Sequence, residues 1–396
     1  MVELLKAPIR KLKKIALLFV DTLLTFTKKG VLHPDRVLLI RLDAIGDFLL
    51  WLDAAQATVK HYKAQGKSVV LVANTAWAAW AKELDVFGDV LALERPRFER
   101  DLLYRFRLGR QIRMLGCSVA VQPTYSREWL FGDALVRISG AAERIGFNGD
   151  TTNIQPWQKR ISDRWYTRLI PADPAPCMEL VRNAEFVRGV GAADFRAKVA
   201  NLRSISDSPL DESFLAAIPV GQRYYVLFPG ASWNGKQWPV AGFVQVAEWI
   251  YSKTGWSGVV CGGNADRELA AKICGECSAP ILNWAGRTDL PQLAAILATS
   301  QFLLANETSA THIAAACGVP TVCLLGGGHY GRFMPYQVEQ PNGRPLPRAV
   351  THQMPCFHCN WRCVYKVAAE RPVPCIDRIA VAEVCQAISE LLLLPA

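Results

Sequence analysis

The chain has 396 residues, of which 51% are hydrophobic and 20% are charged. This composition excludes a disordered chain and provides enough apolar side chains for about two domains, each with its own core. The net charge of +10 is concentrated in residues 1–30 and 94–113, each of which holds seven basic side chains. Such concentration favours an anionic surface or substrate as the partner and gives no separate indication of nucleic-acid binding.

The first 34 residues have the pattern of a basic amphipathic helix. Apolar side chains recur there every three or four residues, at Leu5, Ile9, Leu12, Ala16, Phe19, Leu23 and Phe26. The basic side chains that fall outside this stripe are Lys6, Arg10, Lys13 and Lys14. We expect residues 1–30 to bind a membrane surface, with the basic groups facing anionic headgroups. Packing onto the body of the protein, or onto a second copy in a homo-oligomer, is the alternative.

Strands and helices alternate along the rest of the chain, which predicts parallel sheets in an α/β fold. The apolar run within Arg36–Leu42 is typical of a strand buried on both faces, and a helical pattern follows over 48–64. Further strand candidates are 68–73, 86–93, 118–123, 224–228, 258–261, 302–305 and 321–325. We predict one Rossmann-like domain over residues 35–200 and a second over 201–396, facing each other across a cleft.

The first polar loop, Asp43–Asp47, follows the first strand at its carboxyl end, where open parallel sheets bind their ligands. Gly46 permits a tight strand-to-helix turn and places Asp47 at the start of the next helix. That carboxylate is either a catalytic group aimed into the cleft or an N-cap of the helix.

Three further loops occupy equivalent places in the second half of the chain. The turn over 229–239 combines glycines with Ser232 and Lys236, which suits a phosphate group or an ordinary surface turn, and its spacing differs from a Walker A loop. The turn over 262–266 resembles nucleotide-binding turns in which an acid holds a ribose. The run over 306–312 begins a helix whose N-terminus would attract anions, and its histidine is typical of a structural residue.

The order of these four loops resembles glycosyltransferase family 9, the ADP-heptose:lipopolysaccharide heptosyltransferases. Residues 36–47 resemble its opening strand and Gly-Asp loop, and residues 228–239 its Pro-Gly-Ala-Ser…Lys-x-Trp-Pro motif. Residues 259–268 resemble its Gly-Gly…Asp/Glu turn, and residues 283–320 its block with Asn-Asp/Glu-Thr/Ser…His…Ala-Ala-x-Gly-x-Pro. The resemblance implies a GT-B architecture and inverting transfer from a nucleotide-activated sugar, without a catalytic metal.

The resemblance also implies roles for individual residues. Asp47 would be the general base that deprotonates the acceptor hydroxyl. The donor would be bound by Gly230, Ser232, Lys236, Gly262, Asp266, Glu307, Thr308, Ser309 and His312, with Lys236 and Ser232 on the diphosphate. An anionic glycolipid acceptor would be bound by Arg41, Arg97, Arg100 and Arg105, for which a solvated helix face is the alternative. Glu307 and Ser309 depart from the family's usual Asp and Gly, and both changes can alter which sugar fits.

A cluster of cysteines over 356–375 follows the spacing C-x2-C-x3-C-x11-C, with its members at Cys356, Cys359, Cys363 and Cys375. Four thiolates suit a structural zinc or iron ion. The cluster resembles that of some family members that modify autotransporter proteins and use a cysteine-bound iron. Reduced free thiols, or a disulfide in an oxidising compartment, are the alternatives.

The sequence therefore predicts an inverting glycosyltransferase that moves a heptose or related sugar from an ADP-activated donor to an anionic lipopolysaccharide-core acceptor. Since no cleavable signal peptide is recognisable, we expect it in the cytoplasm, peripherally attached to the inner face of a bacterial inner membrane. The alternatives are a protein glycosyltransferase of the heptosyltransferase type and a non-catalytic, membrane-associated scaffold with a GT-B fold. The presence of Asp47, Lys236 and Glu307 together favours an enzyme over a scaffold.

Overall fold

The computed structural model describes residues 2–202, 210, 212–218, 221–339 and 343–393, with side chains described from residue 12 onward. These residues form two compact units. The first unit comprises the chain up to Ala175 together with Val181–Ala197, and the second comprises Pro176–Leu180 together with the chain from Lys198 onward. Among the described helices, none has both the length and the apolar character needed to cross a bilayer.

The first unit is built on a parallel sheet. Its described strands are β1 (His33–Arg41), β2 (Ser68–Asn74), β3 (Asp89–Leu93), β4 (Cys117–Gln122), β5 (Glu143–Phe147) and β6 (Arg168–Ile170). Its described helices are α1 (Val2–Phe26), α2 (Ile45–Lys63), α3 (Thr75–Glu83), α4 (Arg95–Arg100), α5 (Leu102–Met114), α6 (Ala134–Ser139), α7 (Pro156–Ser162) and most of α8 (Glu179–Val190). The strand order is β3-β2-β1-β4-β5-β6, which is that of a Rossmann fold.

The second unit repeats this topology. Its described strands are β7 (Tyr224–Phe228), β8 (Ser257–Val260), β9 (Ile281–Asn283), β10 (Leu303–Asn306), β11 (Thr321–Leu324) and β12 (Arg348–Val350). Its described helices are α9 (Glu212–Ala217), α10 (Val240–Thr254), α11 (Arg267–Glu276), α12 (Leu290–Thr299), α13 (Ser309–Cys317), α14 (Pro374–Asp377) and α15 (Val381–Leu392). The order β12-β11-β10-β7-β8-β9 is the same Rossmann order read from the opposite edge. The prediction of an α/β fold with two Rossmann-like domains is confirmed.

The central strands are buried on both faces because helices cover both sides of each sheet. Val37, Leu38 and Leu39 of β1 have no exposed surface, although their side chains point alternately to opposite faces. The predicted bounds of β7 agree with the structure, and α13 begins within the run over 306–312, as predicted. The edge strands β6, β9 and β12, with three residues each, were not predicted. They are too short to show a periodic pattern, and pairing with a neighbouring strand decides their conformation.

Helix α1 lies along α5 and runs in the same direction. The Asp21 carboxylate accepts two hydrogen bonds from the Arg105 guanidinium, at 2.6 and 2.7 Å. One turn further, Leu24 packs on Gly109, where an added methyl group would lie 2.5 Å from its side chain. Backbone carbonyls after Leu24 accept hydrogen bonds from Arg113. Because these contacts follow the same order along both helices, the half of α1 before Asp21 points towards the start of α5.

Candidate functional site

The loop after β1 is held by an internal ion pair. Arg41, only 1% exposed, places its Nε 2.6 Å from an Asp43 carboxylate oxygen and donates a hydrogen bond to Asn183 at 3.2 Å. Thr124, after β4, also donates to the Asp43 carboxylate, at 3.3 Å. The prediction made Arg41 an acceptor ligand, whereas its described contacts make it a brace for this loop.

Asp47 lies in the first turn of α2, at the carboxyl edge of the sheet. The N-cap of this helix is Ala44, which offers no side-chain cap, so Asp47 is the acidic side chain near the unpaired N–H groups of the first turn. The partial positive charge there stabilises the carboxylate. Asp47 is half-buried, and the structure thus places it where the sequence predicted, at a helix start beside the strand ends.

A small polar cavity of about 10 Å³ adjoins this loop and is lined by Asp43, Gln122, Thr124 and Glu128, among others. Burial raises the pKa of Glu128, while the charge of Arg95 acts to lower it. Arg95 pairs with Glu128 at 2.8 Å and donates a hydrogen bond to the Leu42 carbonyl. Sequence reasoning missed Arg95 and Glu128, because the ion pair joins residues 33 positions apart.

The three arginines predicted from the basic segment have different environments. Arg105 is fully buried, and its guanidinium donates hydrogen bonds to Asp21 and to the carbonyls of Phe98 and Leu130. It therefore joins α1 to the body of the unit, in place of the predicted contact with an acceptor. Arg97 and Arg100 lie on the surface of α4, where Arg97 forms an exposed ion pair.

In the second unit, Asn306 at the end of β10 fastens the loop that carries Lys236. Its amide nitrogen donates to the Pro229 carbonyl at 2.6 Å, and its amide oxygen accepts from the Trp238 backbone N–H at 3.1 Å. Both ends of the turn are thereby tied to the neighbouring strand. No sequence pattern indicated this role, since its two backbone partners, Pro229 and Trp238, lie about 70 residues earlier in the chain.

Lys236 lies at the centre of the second-unit site. Its Nζ is 3.1 Å from a Glu307 carboxylate oxygen and 4.4 Å from the centre of the Trp361 ring. Lys236 and Glu307 are 9% and 8% exposed. Burial raises the pKa of Glu307, although the charge of Lys236 acts to lower it. The site thus holds a partly desolvated cation, with the aromatic face as a second favourable contact.

Asp266 lies where two glycine turns meet. It accepts a hydrogen bond from the Gly263 N–H at 2.8 Å. A methyl group added at Gly230 would lie 2.5 Å from the Asp266 carboxylate, and one at Gly262 would lie 2.7 Å from its Cβ. Only glycine fits this close approach, so the two turns form one surface around the carboxylate. Ser232 is exposed on the first of these turns.

The N-terminus of α13 adjoins Glu307. Thr308 is the N-cap residue, Ser309 is the first residue of the helix, and no side chain caps it. The Thr308 hydroxyl oxygen is buried and has no hydrogen-bond partner among the described residues. One turn later, burial and the charge of Lys236 lower the pKa of His312 to about 4. Its Nδ1 forms a hydrogen bond with the Tyr336 hydroxyl, at 2.7 Å.

The cysteine cluster surrounds a cavity of about 10 Å³, which is shared by Cys356, Cys359, Cys363 and Cys375. Within the described ranges, however, no three His, Cys, Asp or Glu side chains are arranged to hold a metal ion, and the four cysteines are free thiols. The described residues therefore add no support to the zinc or iron site, which stays a prediction. Cys375 accepts a hydrogen bond from the Gly327 N–H, at 3.5 Å.

The loop of residues 326–328 is covered by the segment that carries the cysteines. Side chains at Gly327 and Gly328 would collide with the rings of Phe357 and Trp361. Trp361 itself adopts a left-handed backbone conformation, with φ of 59°. This packing fixes the ring that contacts Lys236, a contact that sequence reasoning missed because Trp361 lies in a separate segment of the chain.

The structure brings the second-unit predictions together in three adjoining pieces: the Lys236 turn, the Asp266 turn and the α13 N-terminus. Asn306 and the glycine contacts connect these pieces. In the first unit, Asp47 lies at the carboxyl edge of its own sheet, beside the loop braced by Arg41. Each unit thus carries polar groups at the place where Rossmann sheets bind ligands.

Comparison with known proteins adds a family and a fold. Residues 134–360 match the model of glycosyltransferase family 9 (heptosyltransferase). The chain is 30% identical over 198 residues to lipopolysaccharide heptosyltransferase 1 of Pseudomonas aeruginosa, a match that spans 48% of this chain and 54% of that protein. The chain therefore matches only about half the length of this curated relative.

Two solved structures share the fold over nearly the whole chain. The family 9 glycosyltransferase of Veillonella parvula has a TM-score of 0.67 at 15% identity, covering 93% of this chain and 99% of that one. Escherichia coli heptosyltransferase WaaC, solved with ADP-2-deoxy-2-fluoro heptose, has a TM-score of 0.62 at 16% identity, covering 90% and 99%. At these identities the likeness shows the fold alone.

Proposed function

The chain belongs to glycosyltransferase family 9, and we propose that it transfers a heptose or related sugar from an ADP-activated donor to an anionic lipopolysaccharide-core acceptor. The observation that carries this proposal is the partly desolvated Lys236 beside the uncapped N-terminus of α13. An ammonium group and free helix N–H groups are what a leaving diphosphate needs where no metal ion neutralises it. The ligand named in the WaaC structure supports an ADP-linked heptose as the donor.

The donor half of the proposal assigns one part of the nucleotide sugar to each piece of the second-unit site. Lys236 and Ser232 bind the diphosphate, and Asp266 binds the ribose. Glu307 and Thr308, with Ser309, contact the sugar or its phosphates. The Thr308 hydroxyl, which is buried without a partner among the described residues, is available for such a contact. His312 positions the start of α13, which follows Glu307, through its hydrogen bond with Tyr336.

The acceptor half rests on Asp47. In the proposed reaction the acceptor oxygen forms a bond to the anomeric carbon while the bond from that carbon to the diphosphate breaks, so the configuration inverts. The acceptor hydroxyl proton passes to the Asp47 carboxylate, and the charge on the departing diphosphate is matched by Lys236. Surface arginines such as Arg97 and Arg100 are the remaining candidates for contact with acceptor phosphates. We place this reaction at the cytoplasmic face of the inner membrane, where peripheral attachment would bring the enzyme to its acceptor.

Titration calorimetry with ADP, UDP, GDP and CDP, followed by their sugars, tests the donor. We expect ADP to bind in preference to the other three, and Lys236→Ala to weaken its binding. Lys272→Ala is the matched control, because Lys272 is an exposed lysine of the same unit. Preference for UDP or GDP would keep the transferase and overturn the ADP-heptose donor. Absence of all nucleotide binding would favour a non-catalytic scaffold.

A further inference from the structure

Helix α1 is apolar on two opposite faces. The outer stripe, defined here as Leu12, Ile15, Phe19, Leu23 and Phe26, is spaced by three and four residues, and its members are 44–83% exposed. Two further exposed apolar residues, Val31 and Leu32, follow the helix. A stripe of this length with two exposed phenylalanine rings is unusual for a surface that faces only water.

The opposite face of α1 is already covered by the protein. Leu17 and Leu24 are buried, and Asp21 is paired with Arg105 in the interior. The inner face therefore accounts for the attachment of α1 to the first unit, and the outer stripe has no part in it. A helix that needed only to pack on its own domain would have polar residues at the outer positions.

The charge around the stripe indicates what covers it. Residues 1–30 hold seven basic and two acidic side chains. One of the two acids, Asp21, is neutralised in the interior by Arg105. The basic residues include Lys13 and Lys14, which lie between Leu12 and Ile15 in the sequence, and Lys28 after the helix, whereas Lys29 donates a hydrogen bond to the Gly140 carbonyl at 2.6 Å. Two copies of so basic a segment would repel each other, whereas an anionic bilayer would attract it and accept the apolar side chains.

The position of α1 agrees with this assignment. Since α1 and α5 run in the same direction, the half of α1 before Asp21 points towards the start of α5. The start of α5 follows α4, whose Arg95 contacts the carbonyl at the end of β1. The stripe thus extends towards the edge of the sheet that carries Asp47. That this placement brings Asp47 near a lipid-borne acceptor rests on the proposed function, whereas membrane binding itself does not.

We propose that the outer stripe of α1 docks on an anionic lipid bilayer, with the apolar side chains in the headgroup–acyl boundary and the flanking lysines on the headgroups. The helix lies in the plane of the membrane and does not cross it. Each apolar side chain removed from the bilayer weakens the partition constant by roughly tenfold. The basic groups make the binding depend on anionic lipid and fall with salt.

Co-sedimentation of the full chain with vesicles, without donor or acceptor, tests the proposal separately from transfer activity. We expect binding to phosphatidylcholine vesicles that contain phosphatidylglycerol, and little binding to phosphatidylcholine alone. Phe19→Ser with Phe26→Ser should lower the bound fraction by roughly tenfold or more. The matched control is Leu215→Ser with Val364→Ser, which alters two exposed apolar residues of the second unit and should leave binding unchanged.

Two further measurements keep the outcome decisive. Urea unfolding of each variant shows whether it is folded, and if the phenylalanine variant is not, Lys13→Glu with Lys14→Glu should still abolish the preference for anionic vesicles. Sedimentation velocity without lipid tests for a second copy. The proposal would be overturned if the wild-type protein did not bind vesicles. It would also be overturned if substitution of the outer stripe converted a dimer to a monomer and left vesicle binding unchanged.

Discussion

The ammonium nitrogen of Lys236 lies 3.1 Å from a carboxylate oxygen of Glu307, and both side chains are almost completely buried. Each charge offsets the desolvation cost of the other, because an unpaired charge in a site with little water would lose its hydration without compensation. The pair also holds the ammonium group in place before any phosphate arrives. Removing either partner therefore has two consequences, one for stability and one for ligand binding.

Lys236→Met should destabilise the protein by about 2 kcal/mol, because it leaves Glu307 buried without its cation. Adding Glu307→Gln should recover part of that loss, whereas the affinity for ADP should stay low in both variants. Urea unfolding and calorimetry measure the two effects separately. Additive stability losses in the double variant would show that the two side chains do not act as a pair.

Asp47→Asn should lower the transfer rate by about a hundredfold or more, since the amide cannot accept the acceptor proton. Binding of ADP should be unchanged, because the proposed donor residues lie in the second unit. Asp85→Asn is a suitable control: Asp85 is an exposed aspartate of the first unit, and asparagine tolerates its φ of 50°. Transfer at the wild-type rate by Asp47→Asn would exclude this carboxylate as the base.

Trp361→Leu should raise the KM for the donor, because Lys236 loses the aromatic face 4.4 Å from its ammonium group. Trp361→Phe should raise the KM less than Trp361→Leu does, since a smaller ring still presents a π face to the ammonium group. A merely structural tryptophan would instead change the unfolding free energy without a difference in KM between the two variants. Steady-state kinetics with the sugar donor, together with urea unfolding, distinguish these cases.

Asp21→Asn should destabilise the first unit by about 3 kcal/mol, because the fully buried Arg105 would lose its counter-charge. Arg97→Gln is the contrasting change, since Arg97 and Asp101 form an exposed pair that water and salt screen, so its loss should have a much smaller effect. Urea unfolding measures both variants, and proteolysis within α1 should increase only for Asp21→Asn. Equal effects of the two substitutions would contradict the structural role assigned to Arg105.

The pKa of His312 is lowered to about 4 in the folded protein, so the unfolded chain binds a proton that the folded chain does not. The stability that the neutral His312 ring contributes is complete above about pH 6.5. As the pH falls from there towards 4, the free energy of unfolding decreases by about 1.4 kcal/mol per pH unit. His312→Gln should lack this slope. The raised pKa of Glu307 makes stability fall as the pH rises, and it does so in the wild-type protein and in His312→Gln alike. The difference between their unfolding free energies therefore reports on His312. Identical pH profiles of the unfolding free energy would contradict the buried neutral ring.

Sequence patterns predicted those parts of the molecule that depend on local residues. The apolar run of β1 and the turn before α2 were recognisable because burial on both faces and a glycine turn leave a signature in consecutive residues. The site was predictable only where a motif is continuous, as in the turn that carries Lys236. Arg105 shows the limit: its arginine-rich segment indicates an anionic acceptor, whereas its partner, Asp21, lies 84 residues earlier and has no mark in that segment. Trp361 shows it again, since its contact with Lys236 joins two loops 125 residues apart and forms only in the folded unit.

The same separation between Asp21 and Arg105 has a consequence during protein synthesis. Helix α1 leaves the ribosome first, while Arg105, which pairs with Asp21 on its inner face, follows 84 positions later. At translation rates of about 5–20 residues per second, the helix waits roughly 4–17 s for its docking partner. During that interval both of its apolar faces are uncovered, so a chaperone or a nearby membrane surface would protect α1 from aggregation.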